Sequence, residues 1–254
     1  MTGLDLLHEA RRLGLEVHAR NGDEAVARCP ICGKERHLYF NISKQVFECK
    51  RCGAAGTYLQ LCGALCVQAK EDFTPDEKER LAQDRALPVA AFEDYEIGVC
   101  GAGFLLPVRD ADGGLRDVRQ YTPRQKTRST AGLTVGLFGA PRLAVTDRRH
   151  EPVYVCEGEW DAIAMEWLRK AAGKPGIVVG VPGANTFKDQ WRGWFQGREV
   201  FLCYDNDDPG RLGSARAAQK LIGVASEVHV LTWPPDAPEK MDIRDMVMGV
   251  THAN

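Results

Sequence analysis

Cys156-Glu157-Gly158-Glu159-Trp160-Asp161-Ala162 and Asp205-Asn206-Asp207-Asp208-Pro209-Gly210 are the two stretches from which the fold of this chain is read. The first puts a Glu at the end of an apolar run and an Asp four residues on. The second closes another apolar run with an acidic cluster. Val153-Tyr154-Val155-Cys156 and Val200-Phe201-Leu202-Cys203-Tyr204 have the composition of buried parallel strands, and each hands over to a helical segment, as βαβ units do. Acids at the carboxyl ends of such strands face the crevice where open α/β sheets bind ligands. Carboxylates brought together repel one another unless a divalent cation sits among them, and hard oxygen donors suit Mg²⁺ or Mn²⁺. The pattern predicts an α/β protein with a metal-dependent phosphoryl-transfer site. A lone Glu-Gly is an ordinary turn, and Asp-x-Asp an ordinary solvated loop. The pair in this order, each member closing its own strand, carries the reading.

Cys29-Pro30-Ile31-Cys32 and Cys49-Lys50-Arg51-Cys52 are two Cys-x2-Cys knuckles with sixteen residues between them. Each presents two thiolates on a tight turn, a spacing that closes a tetrahedron around Zn²⁺. Gly33 and Gly53 follow the knuckles, where a permissive backbone is needed. Neither a secretory signal nor a transmembrane run occurs, which predicts a reducing, cytoplasmic location and no disulfides. Four thiolates leave no open coordination position, so this zinc is expected to be structural. Leu38–Ile42 and Gln45–Glu48 read as a hairpin turning at Ser43-Lys44. Cys62, Cys66, Cys100, Cys156 and Cys203 are expected to be packing residues. His37, beside the ribbon, is expected at the surface or facing nucleic acid rather than as a ligand.

A charged fraction of 27% and a net charge of −2 describe no generally basic nucleic-acid protein, so the distribution of charge matters more than its sum. Arg116, Arg119, Arg124, Lys126 and Arg128 set five cations in thirteen residues against the single acid Asp117. Beside an acidic metal cluster, such cations offset the charge of triphosphates or a nucleic-acid backbone. Organisation follows from shifts in composition. Residues 1–14 read as a helix with Leu4, Leu6, Leu7, Ala10 and Leu13 on its apolar side. Residues 1–67 form a zinc-ribbon domain, 68–90 a linker or connecting helix, 91–150 a small mixed α/β basic subdomain with a turn at Asp110–Gly114, and 151–254 a Rossmann-like domain with a mainly parallel sheet.

The two acidic stretches resemble the TOPRIM domain shared by bacterial primases, topoisomerases and some nucleases. Glu157, Asp161, Asp205, Asp207 and Gly210 match its motifs position by position. After the next strand, Glu227-Val228-His229-Val230-Leu231, the segment Lys240-Met241-Asp242-Ile243-Arg244-Asp245 stands where the family has a further acidic cluster. One residue separates Lys240 from Asp242 where many members have them adjacent. Ribbon, basic segment and TOPRIM follow in the order of DnaG-type primases and of the primase half of phage primase–helicases. Four cysteine ligands are closer to the phage type.

The resemblance implies synthesis of short RNA primers on single-stranded DNA from ribonucleoside triphosphates. Glu157, Asp205 and Asp207 would hold Mg²⁺ or Mn²⁺, with Glu157 alternatively a general base, and Asp161 and Asp242 would complete the site. Arg116, Arg119, Lys126, Arg128 and Lys240 would meet nucleotide phosphates or the template–primer backbone. Arg36, His37, Tyr39 and Lys44 would read the template. A replicative helicase, fused or separate, is the expected partner, and this chain carries no Gly-x4-Gly-Lys-Ser/Thr loop of its own. A TOPRIM nuclease would use the same carboxylates with water as nucleophile. A non-catalytic zinc/TOPRIM DNA clamp would have no need of the full acidic set.

Overall fold

The structure, a computed structural model, describes residues 5–251. It divides into two compact units. The first comprises the chain up to Lys78 with Tyr95–Val108 and Leu115–Val135; the second comprises Glu79–Asp94, Arg109–Gly114 and the chain from Gly136 on.

In the first unit, helix α1 (Leu6–Arg12) is capped by Asp5, whose Oδ1 accepts from the His8 amide at 3.1 Å. It covers residues 6–12 of the helix expected over residues 1–14, and Leu4 lies outside the described residues. Strands β1 (Val17–Asn21), β2 (Glu24–Ala27), β3 (Leu38–Asn41), β4 (Val46–Cys49) and β5 (Ala55–Thr57) form one antiparallel meander. The β3–β4 pair is the hairpin read from the sequence; β1 and β2, short and without a clear alternation of apolar and polar residues, are not evident there. Helix α2 (Tyr58–Glu71) opens on a capping box made by Thr57 and Gln60. It runs four residues past Val67, the last residue of the expected zinc-ribbon domain. Helix α3 (Pro75–Arg85) starts on Pro75, so residues 68–90 are largely helical. Strands β6 (Gly98–Cys100), β7 (Gly103–Arg109), β8 (Leu115–Tyr121) and β9 (Arg128–Ser129) make a second sheet in sequential order.

One apolar core serves both sheets. Leu6, Leu7 and Leu13 around α1, Phe40 and Phe47 of the meander, and Leu61, Cys62, Leu65 and Cys66 of α2 pack with Leu105 and Val118 of the second sheet. Cys62 and Cys66 are thus core residues, as expected. At Gly98 an added Cβ would lie 2.7 Å from the Ala69 Cβ, so β6 lies against α2 at a distance only glycine permits.

A buried polar network joins α1 to β8 and β9 within this unit. Arg128 Nη2 donates to both Glu9 oxygens, at 2.8 and 2.9 Å, and Gln120 Nε2 and the Ala131 amide each reach Glu9 Oε2 at 3.3 Å. Burial pushes the Glu9 carboxyl up, but Arg128 and the other donors together outweigh it and hold the group below its ordinary value. A depressed folded-state value means that stability is present above about pH 4.5 and is lost as pH falls through the folded value. Glu9→Gln is expected to cost roughly 1–3 kcal/mol at pH 7, because Arg128 is partly solvated. Urea melts followed by circular dichroism at pH 7 and pH 4 check this: the gap between variant and wild type must shrink at the lower pH.

The second unit is a βαβ layer structure. Strands β10 (Val153–Cys156), β11 (Ile177–Gly180), β12 (Glu199–Cys203) and β13 (Glu227–Val230) form an all-parallel sheet in the order β11-β10-β12-β13. Helices α4 (Glu159–Ala171) and α5 (Asp208–Leu221) follow β10 and β12, and α6 (Ile243–Thr251) ends the described chain. Val153, Val155, Val200 and Leu202 on one sheet face pack with Phe187, Trp191, Phe195, Ala217 and Leu221. At Gly180 an added Cβ would lie 2.7 Å from the Gly158 oxygen, which lets the turn before α4 sit on β11. Among the described residues no helix is long and apolar enough to cross a membrane.

Candidate functional site

Two constellations stand out, one in each unit. In the first, the Cys29, Cys32, Cys49 and Cys52 sulfurs all lie within 4.8 Å of one another, and Cys32 Sγ is 3.8 Å from Cys49 Sγ. Sulfurs at the corners of a tetrahedron with Zn–S bonds of 2.3 Å would be about 3.8 Å apart. The knuckle turns close through Gly33 N to Cys29 O at 2.9 Å and Gly53 N to Cys49 O at 3.0 Å, with Gly33 and Gly53 at φ 69° and 75°. Burial raises the Cys49 thiol, but the amides of Cys52 and Arg51 and the neighbouring sulfurs outweigh it and bring it down to about 7. The donor set and spacing fit a tetrahedral thiophilic ion. All nine cysteines are free thiols, and His37 lies outside the cluster, exposed, with its Nδ1 2.5 Å from the Glu35 oxygen. Arg36 and Lys44 are exposed near the hairpin and Tyr39 is half-buried.

In the second unit the topology brings the predicted acids to the carboxyl ends of the strands. Glu157 directly follows β10, and Asp161 sits in the first turn of α4. Asp205 follows β12, and Asp207 is the N-cap of α5, its Oδ1 accepting from the Gly210 amide at 2.7 Å. Gly210 is required here for a second reason: a Cβ would lie 2.3 Å from the Asp205 oxygen. Asp242 precedes α6 and accepts from the Arg244 and Asp245 amides at 2.9 and 3.2 Å. The loop bearing Asp242 is tied to the Asp205–Asp207 loop by Asn206 N to Met241 O and Lys240 N to Asn206 O, both 2.8 Å. Lys240 itself is exposed, with φ 67°.

The acids separate into two groups. Arg244 takes Asp161 Oδ1 at 3.2 Å and also bonds Asp242 Oδ2, so one guanidinium bridges two carboxylates and offsets part of their charge. Burial lowers the Arg244 value, but Asp161 and Asp242 together raise it. Among the described residues, no cation clamps Glu157, Asp205 or Asp207 in this way. Asp205 Oδ1 is buried without a hydrogen-bond partner, and burial, followed by the charges of Asp161, Glu157, Asp242 and Asp207, pushes its carboxyl up to about 8. Glu157 is raised by burial and by Asp207 and Asp161, against lowering by the Asp205 and Ala184 amides. A buried, unpartnered carboxylate oxygen beside two further acids fits a hard divalent cation. Unlike the four thiols, no three of these carboxylates close to within 4.8 Å of one another.

Sequence reasoning gave Arg244 no role; its signal was an Arg standing between the two acids of the cluster, Asp242 and Asp245. Arg85 was also missed. Its guanidinium lies 4.9 Å from the centre of the Trp160 ring, and burial raises the Asp161 carboxyl above its ordinary value, with Asp242 adding to the rise and Arg244 and Arg85 pulling against it. The expected phosphate cations are not alike. Arg116 and Lys126 are exposed. Arg128 is paired with Glu9, and Arg119, 7% exposed, donates to Ser129 Oγ and lies 4.0 Å from the fully buried Asp117. These four belong to the first unit, and the acids to the second.

Residues 154–247 match the Toprim-like family model. A search of the curated proteins found no match. Among solved structures, the zinc-binding and RNA polymerase domains of Aquifex aeolicus primase align with a TM-score of 0.53 at 15% identity, over 97% of this chain and 80% of that one. The E. coli primase catalytic core gives 0.59 at 16% identity, covering 76% of each chain. The primase fragment of the bacteriophage T7 primase-helicase gives 0.51 at 18% identity, over 88% of this chain and 94% of that one. A four-cysteine module followed by a Toprim-like domain thus gives this chain the fold of the zinc-binding and catalytic regions of bacterial and phage primases.

Proposed function

We propose that this protein is a DNA primase, making short RNA primers on single-stranded DNA from ribonucleoside triphosphates. The observation that carries the reading is the partition of the acids, with Asp161 and Asp242 clamped by Arg244 and Glu157, Asp205 and Asp207 left to hold a divalent cation. Mg²⁺ or Mn²⁺ held there would lower the pKa of an attacking 3′-hydroxyl and offset charge on the leaving pyrophosphate. Arg244 offsets part of the charge with which Asp161 and Asp242 would repel a triphosphate. Arg116 and Lys126 supply exposed cations for phosphate or backbone, while Arg119 and Arg128 brace the sheet that carries them. The four thiols hold Zn²⁺ and shape the hairpin on which Arg36, His37, Tyr39 and Lys44 are displayed to the template. A DnaG primase catalytic domain bound to single-stranded DNA, and a T7 protein that joins primase to helicase, support these partner classes.

The test is synthesis without a primer on mixed-sequence single-stranded DNA, with labelled ribonucleotides, Mg²⁺ or Mn²⁺, and a Glu157→Gln control. Short RNA products absent from the control are expected. Template degradation that disappears in the control would instead identify a nuclease. Binding without turnover, unchanged in the control, would identify a clamp.

A further inference from the structure

We propose that the second unit holds a further metal site, for a borderline divalent ion such as Zn²⁺, formed by Glu199, Glu227 and His229. Glu199 and Glu227 are the first residues of β12 and β13, at the opposite end of the strands from the acids discussed above, and His229 lies two residues further along β13. In the β12–β13 register Glu199 faces Glu227 and Phe201 faces His229, which places two carboxylates directly opposite each other on neighbouring strands. Like charges so placed destabilise a sheet unless something lies between them.

Both carboxylates converge on one nitrogen. His229 Nε2 is 3.1 Å from Glu199 Oε1 and 3.5 Å from Glu227 Oε1, and the three ligand atoms lie within 4.8 Å of one another. A neutral imidazole carries at most one proton on that nitrogen, so it satisfies one carboxylate and leaves the other facing a like charge. A tetrahedral ion with Zn–N and Zn–O bonds of 2.0–2.2 Å sets its nitrogen and oxygen ligands about 3.4 Å apart. The two observed separations bracket that spacing. The imidazole is also held in place: its ring stacks on Phe201 with centroids 4.6 Å apart, and Phe201 stacks on Tyr154 at 5.1 Å. This row of rings crosses three strands and fixes the ring plane before any ion arrives, as a supporting shell does for a metal ligand. Three protein ligands leave one position for water. The pairing of an imidazole with two carboxylates sets this site apart in chemistry from the four thiols and from the all-oxygen acids.

The experiment is calorimetric titration of the full chain with Zn²⁺, repeated with Co²⁺ followed by absorption. The wild type is expected to take up one equivalent beyond that bound by the thiols, and the corresponding Co²⁺ band lacks thiolate charge transfer. His229→Gln and Glu227→Gln, both at partly exposed positions, are expected to weaken that equivalent by about a hundredfold or more, since losing a ligand exceeds losing its support. The thiolate band and primer synthesis should be unchanged. The proposal is overturned if the wild type takes up no ion beyond the thiol site, or if either variant keeps the extra equivalent. Uptake of none, with His229 titrating well above pH 7 by NMR, would assign the bridge to an imidazolium proton.

Discussion

Asp205→Asn is expected to yield a more stable protein that makes no primers. Loss of synthesis by about 10³-fold or more is the scale for removing one member of a concerted catalytic set. The stability change has the opposite sign. The wild-type carboxyl is buried, has an oxygen without a partner, and faces the charges of Asp161, Glu157, Asp242 and Asp207, which together push it up to about 8. An acid raised in the folded state binds its proton there and not in the unfolded chain, so its presence lowers stability progressively as pH rises from about 4 to about 8. The amide carries no such penalty. Measured without divalent ions, the variant should gain roughly 1–3 kcal/mol at pH 8, a figure reduced because Asp205 is partly solvated, and nothing near pH 4. Thermal melts at the two pH values test the sign. Added Mg²⁺ should raise the wild-type melting point and leave the variant's unchanged. Equal stability at both pH values, or a variant that still makes primers, would remove Asp205 from the site.

Cys49→Ser, or a strong chelator, is expected to unfold the first unit and leave the second standing. Structural zinc in small modules contributes on the order of 10 kcal/mol or more to folding, more than a domain of this size holds in reserve. The loss should not stop at the ribbon, because Leu105 and Val118 of the β6–β9 sheet belong to the same core as Phe40, Phe47 and Leu61. Hydrogen exchange is the measurement: protection should vanish across β1–β9 and persist in β10–β13. Persistence of protection in β6–β9 without the ion would mean that the sheet folds unaided.

Strand ends with acids were legible because each carries its own local signature: a β-branched run, a charged stop and a helix start. The knuckles were legible because zinc needs ligands at fixed spacing. β11 went unread, although Ile177-Val178-Val179-Gly180 is an apolar run, because periodicity alone does not separate a short buried strand from a stretch of helix. The pairing of Arg128 with Glu9 spans 119 positions, and nothing near Arg128 in sequence distinguishes an internal ion pair from an exposed phosphate contact. Arg244 was hidden for a related reason. Its two acids come from α4 and from the loop before α6, and only the folded sheet brings them to one guanidinium. The division of the first unit was likewise invisible, because a core shared between residues near 40 and residues near 118 leaves no local mark.

The common core of the first unit has a consequence for interchangeability. A ribbon cut at Val67 and grafted elsewhere would carry away α1 and most of α2 while abandoning Leu105 and Val118, exposing apolar surface on both pieces. A chimera that trades the proposed template-reading residues between chains must therefore exchange the whole block through β9, or be confined to the hairpin tip around Ser43 and Lys44, where no core residue is at stake.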